Sequence, residues 1–383
     1  MNTMEDNIDS KRAEMLAFLE KLVNIDSGSS FVEGVNRINS ILYTKLQEWG
    51  FQASVVQGHR YGNHVCAQLG TGHPCVFLMG HMDTVFPVGT VEKRPFTLDK
   101  SQQKAYGPGV RDMKGGIVIM LYAVRALLEN RAGNIRGSIR IYLNADEEPG
   151  SPESRDHLSE YLDGADSAFV FEPSAPDGAL VTRRKGVGIF RFAVKGKAAH
   201  AGSEPEAGAN AIEELMFKLT ELIQLADAEK GTTINIGTIR GGNEPYIVPE
   251  SAEASVDVRV ATLQEQRRIE RAVANLLEKS VVEGTASSVK GGFHRPPMEP
   301  VAGTEELKRV VCEAADSLGY KVRFTTSPRG GASDGNLINS LGVPCIDGMG
   351  PLGSGAHSPK EYIKVNSLFD KAKLAALILD KLL

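Results

Sequence analysis

The stretch that most constrains this chain is the apolar run at residues 74–85, Pro-Cys-Val-Phe-Leu-Met-Gly-His-Met-Asp-Thr-Val. Its length and its β-favouring residues predict a buried central strand that ends at a glycine, followed by His81 and Asp83. Side chains alternate along an extended chain, so these two point the same way and the carboxylate can fix the tautomer of the imidazole. That pairing is typical of a metal-binding histidine, although a satisfied histidine at a strand end gives the same local pattern.

Length and composition narrow the class of protein. The chain has 383 residues, 42% hydrophobic and 24% charged, which predicts a globular protein of two domains. A net charge of -5 without a basic tract argues against nucleic acid as a partner. The acidic, polar start and the lack of a long apolar run predict no membrane partner and a cytoplasmic location. Four scattered cysteines without a C-x-x-C pair argue against a zinc knuckle and favour buried apolar roles.

Acidic residues follow two further predicted strands. The strand at 138–143 leads into Asp146-Glu147-Glu148, and the strand at 167–171 leads into Glu172. Asp112 lies in a glycine-flanked corner just before a predicted amphipathic helix. Taken singly, the acidic tripeptide is equally compatible with a solvated loop, and Glu172 before a proline with a turn. Together they predict several carboxylates at one sheet edge, a cluster that repels itself unless a cation binds there.

The order of predicted elements defines the domains. Residues 183–295 give strand, helix, strand, strand, helix, strand, which is the ferredoxin-like βαββαβ order and predicts an inserted lid or dimerisation domain. Residues 1–182 and 296–383 then form a large α/β domain, a mixed central sheet flanked by helices. In its second part we expect a strand at 322–325 and a helix that begins at Ser333-Asp334. A glycine-rich loop at 348–356, which is no Walker A sequence, is expected to let His357 approach a site built elsewhere.

Five motifs taken in order resemble one protein family. They are Gly-His-Met-Asp-Thr-Val at 80–85, Gly-Pro-Gly-Val-Arg-Asp-Met-Lys-Gly-Gly at 107–116, Asp-Glu-Glu at 146–148, Phe-Glu-Pro at 171–173 and Gly-Ala-His-Ser at 355–358. This series resembles the ligand motifs of the M20 dinuclear zinc peptidases, and most of all their glutamate carboxypeptidase (carboxypeptidase G2-like) branch. The resemblance covers nearly the whole chain, including the inserted domain.

The resemblance implies a role for each matching residue. Asp112 would bridge two zinc ions per subunit, replaceable by cobalt or manganese. His81 and Glu172 would complete one ion, and Glu148 and His357 the other. Imidazole and carboxylate donors suit zinc, and such a set leaves coordination positions for water and substrate. Asp83 would orient His81, and Glu147 would be the catalytic base that takes a proton from a metal-bridged water.

The inserted domain carries three further candidates. His200, in Lys-Ala-Ala-His-Ala-Gly, resembles the family histidine that stabilises the oxyanion, often in the partner subunit's active site, although a lone loop histidine is otherwise a surface residue. Arg259, in Asp-Val-Arg, resembles the arginine that binds the substrate carboxylate, with a surface ion pair as the alternative. Tyr246 occupies a position where the branch has Asn, which puts that substrate contact in doubt. Met113 stands where the branch often has an acid, and family members tend to hold the preceding peptide bond cis.

These residues together predict a function. We expect a zinc-dependent amide hydrolase, a homodimer through the inserted domain, that releases a C-terminal amino acid, above all glutamate, from a small peptide or an N-acyl amino acid. The alternatives within the class are an N-acyl-amino-acid deacylase and a dipeptidase. Two alternatives belong to other classes. One is a catalytically silent metal-binding regulatory homologue, which the intact Glu147 argues against. The other is a phosphoesterase, for which Arg259 and His200 are less suitable than for a peptide substrate.

Overall fold

The computed structural model describes residues 3–383, and these divide into two compact units. The first comprises residues up to Thr182 together with Pro300–Ser327 and Ser333–Leu383, and the second comprises Arg183–Glu299 and Pro328–Ala332. The sequence placed the second boundary at 295/296, four residues earlier. It also assigned residues 328–332 to the large domain, whereas the structure groups them with the second unit.

The secondary structure runs through both units. The helices are α1 Met4–Ser10, α2 Arg12–Val23, α3 Val32–Glu48, α4 Thr90–Lys93, α5 Gly115–Asn130, α6 Ser154–Leu162, α7 Ala211–Ile223, α8 Leu263–Glu278, α9 Thr304–Ser317, α10 Asp334–Ser340 and α11 Val365–Leu382. The strands are β1 Gln52–Val56, β2 His64–Gly70, β3 Cys75–His81, β4 Thr97–Asp99, β5 Lys104–Tyr106, β6 Ser138–Asn144, β7 Ser167–Val170, β8 Gly186–Lys195, β9 Thr233–Gly241, β10 Ser251–Val260, β11 Ala286–Arg295, β12 Cys345–Ile346, β13 Gly353–Ser354 and β14 Tyr362–Lys364.

The first unit is built on a mixed six-stranded sheet with the order β1-β2-β6-β3-β7-β12. The pairs of β1 with β2 and of β2 with β6 are antiparallel, whereas β6, β3, β7 and β12 run parallel. Every residue of β3 is buried, as the apolar run predicted for a central strand. The mixed sheet and its flanking helices confirm the predicted α/β class of this unit. A smaller antiparallel sheet, β13-β14-β5-β4, belongs to the same unit.

Helix α5 is the central helix of the first unit. The sequence predicted an amphipathic helix, but all residues from Gly115 to Val124 are buried. The reason is that α5 packs against β3 on one side and against α1, α2 and α11 on others, so that no face of its first half meets solvent. This helix begins directly after Lys114, and its position therefore fixes the corner that carries Asp112.

The predicted strand at 322–325 is wrong. Only Phe324 forms a bridge, with Leu180, supported by backbone bonds from Leu180 to Arg323 and from Thr325 back to Leu180. The segment therefore pairs with a single residue outside the main sheet, and within residues 3–383 no neighbouring strand is present with which it could form a continuous hydrogen-bond ladder. The helix predicted at Ser333-Asp334 is confirmed as α10, with Ser333 as its N-cap in a capping box.

The second unit confirms the βαββαβ order. Its strands form one antiparallel sheet, β11-β8-β10-β9, and α7 and α8 pack on it. The core contains buried apolar residues of the sheet and of both helices: Phe190, Phe192, Val194, Leu215, Leu219, Leu222, Val256, Val258, Ile269 and Val273. The alternation of buried and exposed positions along β8 and β10 is that of a sheet covered on one face.

The structure also bears on membrane spans and on the cysteines. Within residues 3–383, none of the helices combines the length and the apolar character that a membrane span needs. All four cysteines are free thiols; Cys66, Cys75 and Cys345 are buried as predicted, and Cys312 is half-buried.

Candidate active site

Three neighbouring parallel strands bring the predicted site residues to one sheet edge. His81 is the last residue of β3, Glu147 and Glu148 follow β6 after a short turn, and Glu172 lies two residues beyond β7. Because β6, β3 and β7 are adjacent and parallel, their carboxyl ends meet. The sheet therefore places these side chains together, as the strand-end pattern predicted.

Asp112 lies between two imidazoles. Its Oδ1 is 3.3 Å from Nε2 of His81, and its Oδ2 is 3.3 Å from Nε2 of His357. Nε2 of His81 is also 3.5 Å from Oε1 of Glu172, and Nε2 of His357 is 3.2 Å from Oε2 of Glu148. One carboxylate thus offers one oxygen to each of two donor groups, which is the arrangement of a bridging ligand.

The spacing of these atoms fits bound metal ions. A tetrahedral zinc ion with bonds of about 2.1 Å holds its ligand atoms about 3.4 Å apart, and the contacts above span 3.2 to 3.5 Å. Two compact groups, each with its ligand atoms within 4.8 Å of one another, are His81-Glu147-Glu172 and His81-Asp112-Glu148. The carboxylate of Glu147 therefore lies within reach of the donors that the sequence assigned to one ion. Oε1 of Glu148 is buried without a hydrogen-bond partner, as expected of an atom whose partner is a cation.

The Asp83 carboxylate connects the backbone of Glu147 and Glu148 with the side chain of Ser29. Its Oδ1 accepts the backbone N–H of Glu147 at 3.1 Å, and its Oδ2 accepts that of Glu148 at 3.2 Å. The hydroxyl of Ser29 donates to the same Oδ2 at 2.6 Å. Asp83 is completely buried, so its carboxylate holds the two glutamates in fixed positions.

The tautomer of His81 follows from its backbone contact. Nδ1 lies 3.0 Å from the carbonyl oxygen of Asp83, whereas the carboxylate Oδ1 of that residue is farther away, at 3.4 Å. A carbonyl oxygen only accepts, so Nδ1 carries the proton and the Nε2 lone pair faces Asp112 and Glu172. The sequence predicted orientation by the carboxylate; the carbonyl of the same residue makes the shorter contact.

The electrostatics of the cluster favour positive charge. Burial and the nearby Asp112 carboxylate raise the pKa of Glu172 well above its usual value, and burial above all raises that of Glu148. Burial acts in the same direction on Asp112, but the imidazoles of His357 and His81 beside it hold its pKa far below the usual range. The contacts of His357 with Asp112 and Glu148 raise the pKa of this imidazole to about 11. Carboxylates crowded in this way are stabilised by cations.

Glu361 supports the Asp112 corner and was missed by the sequence analysis. Its buried carboxylate accepts the backbone N–H groups of Gly109 at 2.9 Å, Arg111 at 2.8 Å and Asp112 at 3.0 Å. Burial raises the pKa of this carboxyl to about 7, against the effect of those bonds. The peptide bond between Asp112 and Met113 is cis. An acid four residues after the histidine of the last motif was the available signal for Glu361.

A second set of missed residues fixes the turn after β6. Nδ1 of His64 accepts the N–H of Ala145 at 3.1 Å, and the amide of Asn144 donates to Oδ2 of Asp334 at 2.8 Å. Oδ2 of Asp146 accepts the N–H groups of Glu153 and Ser154. Burial lowers the pKa of His64 to about 4 and raises that of Asp146 to about 6. The imidazole therefore stays neutral and keeps its acceptor nitrogen.

The glycine-rich loop works through close packing. The backbone N–H of Gly350 donates to the carbonyl of Glu172 at 2.8 Å, and a Cβ on Gly350 would lie 2.6 Å from the carbonyl oxygen of Phe171. Gly116 touches the same carbonyl from α5, since a Cβ there would lie 2.0 Å from it. The sequence predicted that the loop glycines would let His357 approach the site; in the structure Gly350, together with Gly116 of α5, leaves room for the backbone of the Glu172 segment. His357 has a left-handed φ of 61°.

In the second unit, His200 and Tyr246 lie on adjacent segments. A backbone bridge joins His200 to Ile247, and Ala201 donates to the carbonyl of Tyr246 at 3.0 Å. Nδ1 of His200 accepts the N–H groups of Gly202 and Ser203, both at 3.1 Å. The proton is therefore on Nε2, which makes the exposed edge of this imidazole a hydrogen-bond donor. Tyr246 is 58% exposed.

Arg259 forms the ion pair that the sequence analysis kept as an alternative. Its Nε and Nη2 bind the two carboxylate oxygens of Asp257 at 3.0 and 3.1 Å, and Nη1 donates to the carbonyl of Gly330 at 2.8 Å. Three of its five N–H groups are used in this way, and one hydrogen remains on each terminal nitrogen. A role in binding substrate stays a prediction.

Comparison with known proteins identifies the family. The sequence profile of peptidase family M20/M25/M40 matches residues 77–381, which include all five predicted metal ligands. The chain belongs to the M20 peptidases. This confirms the family predicted from the motifs, and with it an enzyme of the metallopeptidase and amidohydrolase type that hydrolyses amide bonds.

Several known proteins are similar to this chain over most of their length. Carboxypeptidase G2 of Pseudomonas sp. (strain RS-16) is 31% identical, over 99% of this chain and 92% of that enzyme. Succinyl-diaminopimelate desuccinylase of Rickettsia akari (strain Hartford) is 29% identical, over 79% of this chain and 82% of that enzyme. The crystal structure of a tripeptidase from Staphylococcus aureus subsp. aureus Mu50 superposes with a TM-score of 0.80 at 23% identity, covering 97% and 98% of the two chains, and has the same fold.

Proposed function

We propose that this M20 enzyme binds two zinc ions per subunit and releases a C-terminal glutamate from a small peptide or an N-acyl amino acid. The observation that carries the proposal is the contact of one carboxylate, Asp112, with two imidazoles that each contact a further carboxylate. Glu147 lies within 4.8 Å of one of these groups. A bridged pair of donor sets beside a third carboxylate is what a two-metal hydrolase requires.

The donor atoms support zinc. His81, Asp112 and Glu172 would hold one ion, and His357, Asp112 and Glu148 the other. Each set mixes imidazole nitrogen with carboxylate oxygen, which suits zinc and also accepts cobalt or manganese. Bound there, the ions would lower the pKa of a water and polarise an amide carbonyl.

The protein's own residues supply the proton transfers. The Glu147 carboxylate takes the proton of the attacking water and returns it to the leaving amine. Asp83 holds the backbone of Glu147, so that this carboxylate stays on the side of His81 and Glu172. Glu148 has its backbone fixed by the same carboxylate and its side chain directed to His357. Adjacent acids thus have separate tasks, one as base and one as ligand.

The second unit contributes substrate recognition to the proposal. His200 has its proton on Nε2, the state that donates to a developing oxyanion, either in its own subunit or in a partner copy. Arg259 keeps one hydrogen on each terminal nitrogen, enough to bind the free carboxylate of the substrate. Tyr246, on the segment next to His200, would contact the substrate side chain.

The relatives favour two substrate classes. The similarity to carboxypeptidase G2 over 99% of the chain supports release of a C-terminal amino acid, with glutamate as the first candidate. The similarity to a desuccinylase supports an N-acyl-amino-acid deacylase as the alternative. Both reactions break an amide bond and would use the same base and metal ligands, so the difference lies in the groups that the substrate pockets accept.

A substrate panel separates these possibilities. The full-length enzyme, stripped with a chelator and reloaded with zinc, is assayed on N-acyl glutamate, N-acyl aspartate, N-acyl glutamine and matched dipeptides. We expect N-acyl glutamate to have the highest kcat/KM, by about tenfold over aspartate and glutamine. Amidation of its C-terminal carboxylate should lower kcat/KM by about 100-fold, since a charged hydrogen bond is lost. Similar kcat/KM values for N-acyl glutamate, aspartate and glutamine, with little hydrolysis of the dipeptides, would favour the deacylase instead.

A dimer through the second unit is part of the proposal. Strand β9 lies at the edge of its sheet, and its Ile239 is 55% exposed. Helix α7 of the same unit exposes Met216 at 58% and Phe217 at 43%. Exposed apolar groups beside a free strand edge are typical of an interface between copies. Light scattering should give the mass of a dimer for the wild type and of a monomer for Phe217→Glu; a monomeric wild type would contradict this.

A further inference from the structure

The first unit contains a cavity of about 500 Å³ that shares no residue with the metal centre. Its walls come from the segment after α9, from the turn at Asp177-Gly178, from Leu352 and from the first half of α11. The volume is in the range of pockets that hold small organic ligands. Its lining combines apolar side chains with several charged ones, which raises the question of how each charge is neutralised.

Lys371 is the exception among the cations of this cavity. The ammonium groups of Lys321 and Lys373 lie 2.7 Å from Asp316 and Asp9, and the guanidinium of Arg323 lies 3.3 Å from Asp177. Lys371 is only 8% exposed, yet it has no hydrogen-bond or ion-pair partner among residues 3–383. Burial alone lowers its pKa to about 8. The residue is nearly buried and its ammonium has no counter-charge among the described residues, so an anion in the cavity would stabilise the charged form.

The remaining lining indicates what kind of anion fits. Leu318, Val322 and Leu374 give the cavity apolar walls. Burial and the nearby Asp370 raise the pKa of Tyr320 to about 12, so its hydroxyl stays protonated as a donor. Asp370 is exposed and lines the same cavity, and its charge opposes a second negative charge on the ligand. A single carboxylate with an apolar body suits these surroundings better than a phosphate dianion.

We propose that this cavity binds a small organic monoanion, whose carboxylate pairs with the Lys371 ammonium and whose apolar part lies against Leu318, Val322 and Leu374. The site is separate from the metal centre and does not depend on the proposed substrate. The ligand supplies the counter-charge that the protein lacks at this position.

The test uses full-length protein and octanoate as the probe. Isothermal titration should show octanoate binding to the wild type and at least tenfold weaker binding to Lys371→Met, which keeps the length of the side chain but removes its charge. Lys371→Arg retains the charge and should bind within about threefold of the wild type. Lys321→Met, whose side chain is 86% exposed and paired, is the matched control and should bind normally. Binding of octanoate at the metal centre is common to all variants and cancels in the comparison.

Two further probes each lack one feature of octanoate: octanol lacks the negative charge, and inorganic phosphate lacks the apolar chain. Octanol should bind at least tenfold more weakly than octanoate, and inorganic phosphate should not displace octanoate. Equal binding of octanoate to wild type and Lys371→Met, equal binding of octanol, or displacement by phosphate would each overturn the proposal.

Chemical labelling gives a readout that needs no variant. Limited acetic anhydride at neutral pH should acetylate Lys371 early because its amine is partly deprotonated, and octanoate should protect it; peptide mass spectrometry measures both. Early labelling without protection would overturn the proposal. If Lys371→Met does not fold, Lys371→Gln replaces it in the titration.

Discussion

Four of the five predicted metal ligands in the first unit, all but His357 at 55%, have side chains no more than 14% exposed, whereas the proposed substrate-recognition residues of the second unit are accessible. His81 is 1% exposed and Asp83 0%, and the turn that carries Glu147 is fixed by backbone bonds to Asp83. In the second unit Tyr246 is 58% exposed and the Arg259 side chain 35%. Fixed, desolvated groups stabilise developing charge best, while groups that select a substrate must be reached by it.

This difference assigns separate effects to the two regions. Substitutions at the metal centre should change kcat, metal content or stability. Substitutions among the second unit's recognition residues should change KM or preference and leave the fold intact. Four experiments test that division, beginning with the largest expected effect.

Glu147→Gln should lower kcat by about 10³-fold or more, because the amide cannot accept the proton of the attacking water. Metal content, measured by mass spectrometry of the purified protein, should stay at the wild-type value. The adjacent Glu148→Gln is the matched comparison and should lose metal as well as activity. Full activity of Glu147→Gln would remove its role as the base and with it the separation of tasks between the two glutamates.

His64 should make stability depend on pH between 4 and 6.5. Its folded pKa of about 4 lies below the usual 6.5, so the unfolded chain binds more protons in that window, and stability is lost as the pH falls. The loss amounts to about 3 kcal/mol over the window. Denaturant unfolding should show a flatter pH profile for His64→Gln. The exposed His200→Gln should leave stability within about 0.5 kcal/mol; equal profiles for wild type and His64→Gln would contradict the role of its burial.

Arg259→Met should raise KM about 30-fold, or about 2 kcal/mol, for substrates with a free C-terminal carboxylate. The kcat value and the thermal midpoint should change little, and carboxamide substrates should be unaffected. Arg259→Lys keeps the charge without the planar fork and should show an intermediate KM. An equal loss on carboxamide substrates would mean that Arg259 acts only through its structural bonds to Asp257 and Gly330.

Tyr246→Asn should have the smallest effect, a change of a few-fold in the preference between glutamate and aspartate, or less than about 1 kcal/mol. The side chain is exposed, so no loss of stability is expected. Competition assays with both substrates in one tube measure the ratio directly. An unchanged ratio would take Tyr246 out of the specificity pocket.

The sequence predicted which side chains meet at the sheet edge, because their placement follows from local patterns. A histidine or an acid directly after a buried strand must lie at the sheet edge, and parallel neighbours bring those edges together. The same argument does not reach Ser29, His64, Asp334 or Glu361, which contact the site from distant parts of the chain. Nothing in their neighbouring residues shows which backbone groups they will meet, since that depends on tertiary packing.

The errors in the predicted fold have a similar origin. The apolar stripe of α5 was correctly placed, but its other faces are covered by α1, α2 and α11, which periodicity alone does not reveal. The segment at 322–325 has strand-favouring residues yet meets a single partner residue instead of a ladder. In both cases the local sequence favours the predicted element, but the elements packed around it determine how far it is buried or paired.

The segment Pro328–Ala332 belongs to the second unit although the residues on both sides of it belong to the first, and this affects how the second unit can be expressed alone. The polypeptide passes from one unit to the other at four points, so the second unit is assembled from two discontinuous pieces. Arg259 and Arg184 each anchor a carbonyl of the short piece, those of Gly330 and Gly331. A fragment cut at 183–299 would expose both guanidinium groups to water without these acceptors. Anyone wishing to express the smaller unit alone should splice Pro328–Ala332 onto it, for example through a circular permutation.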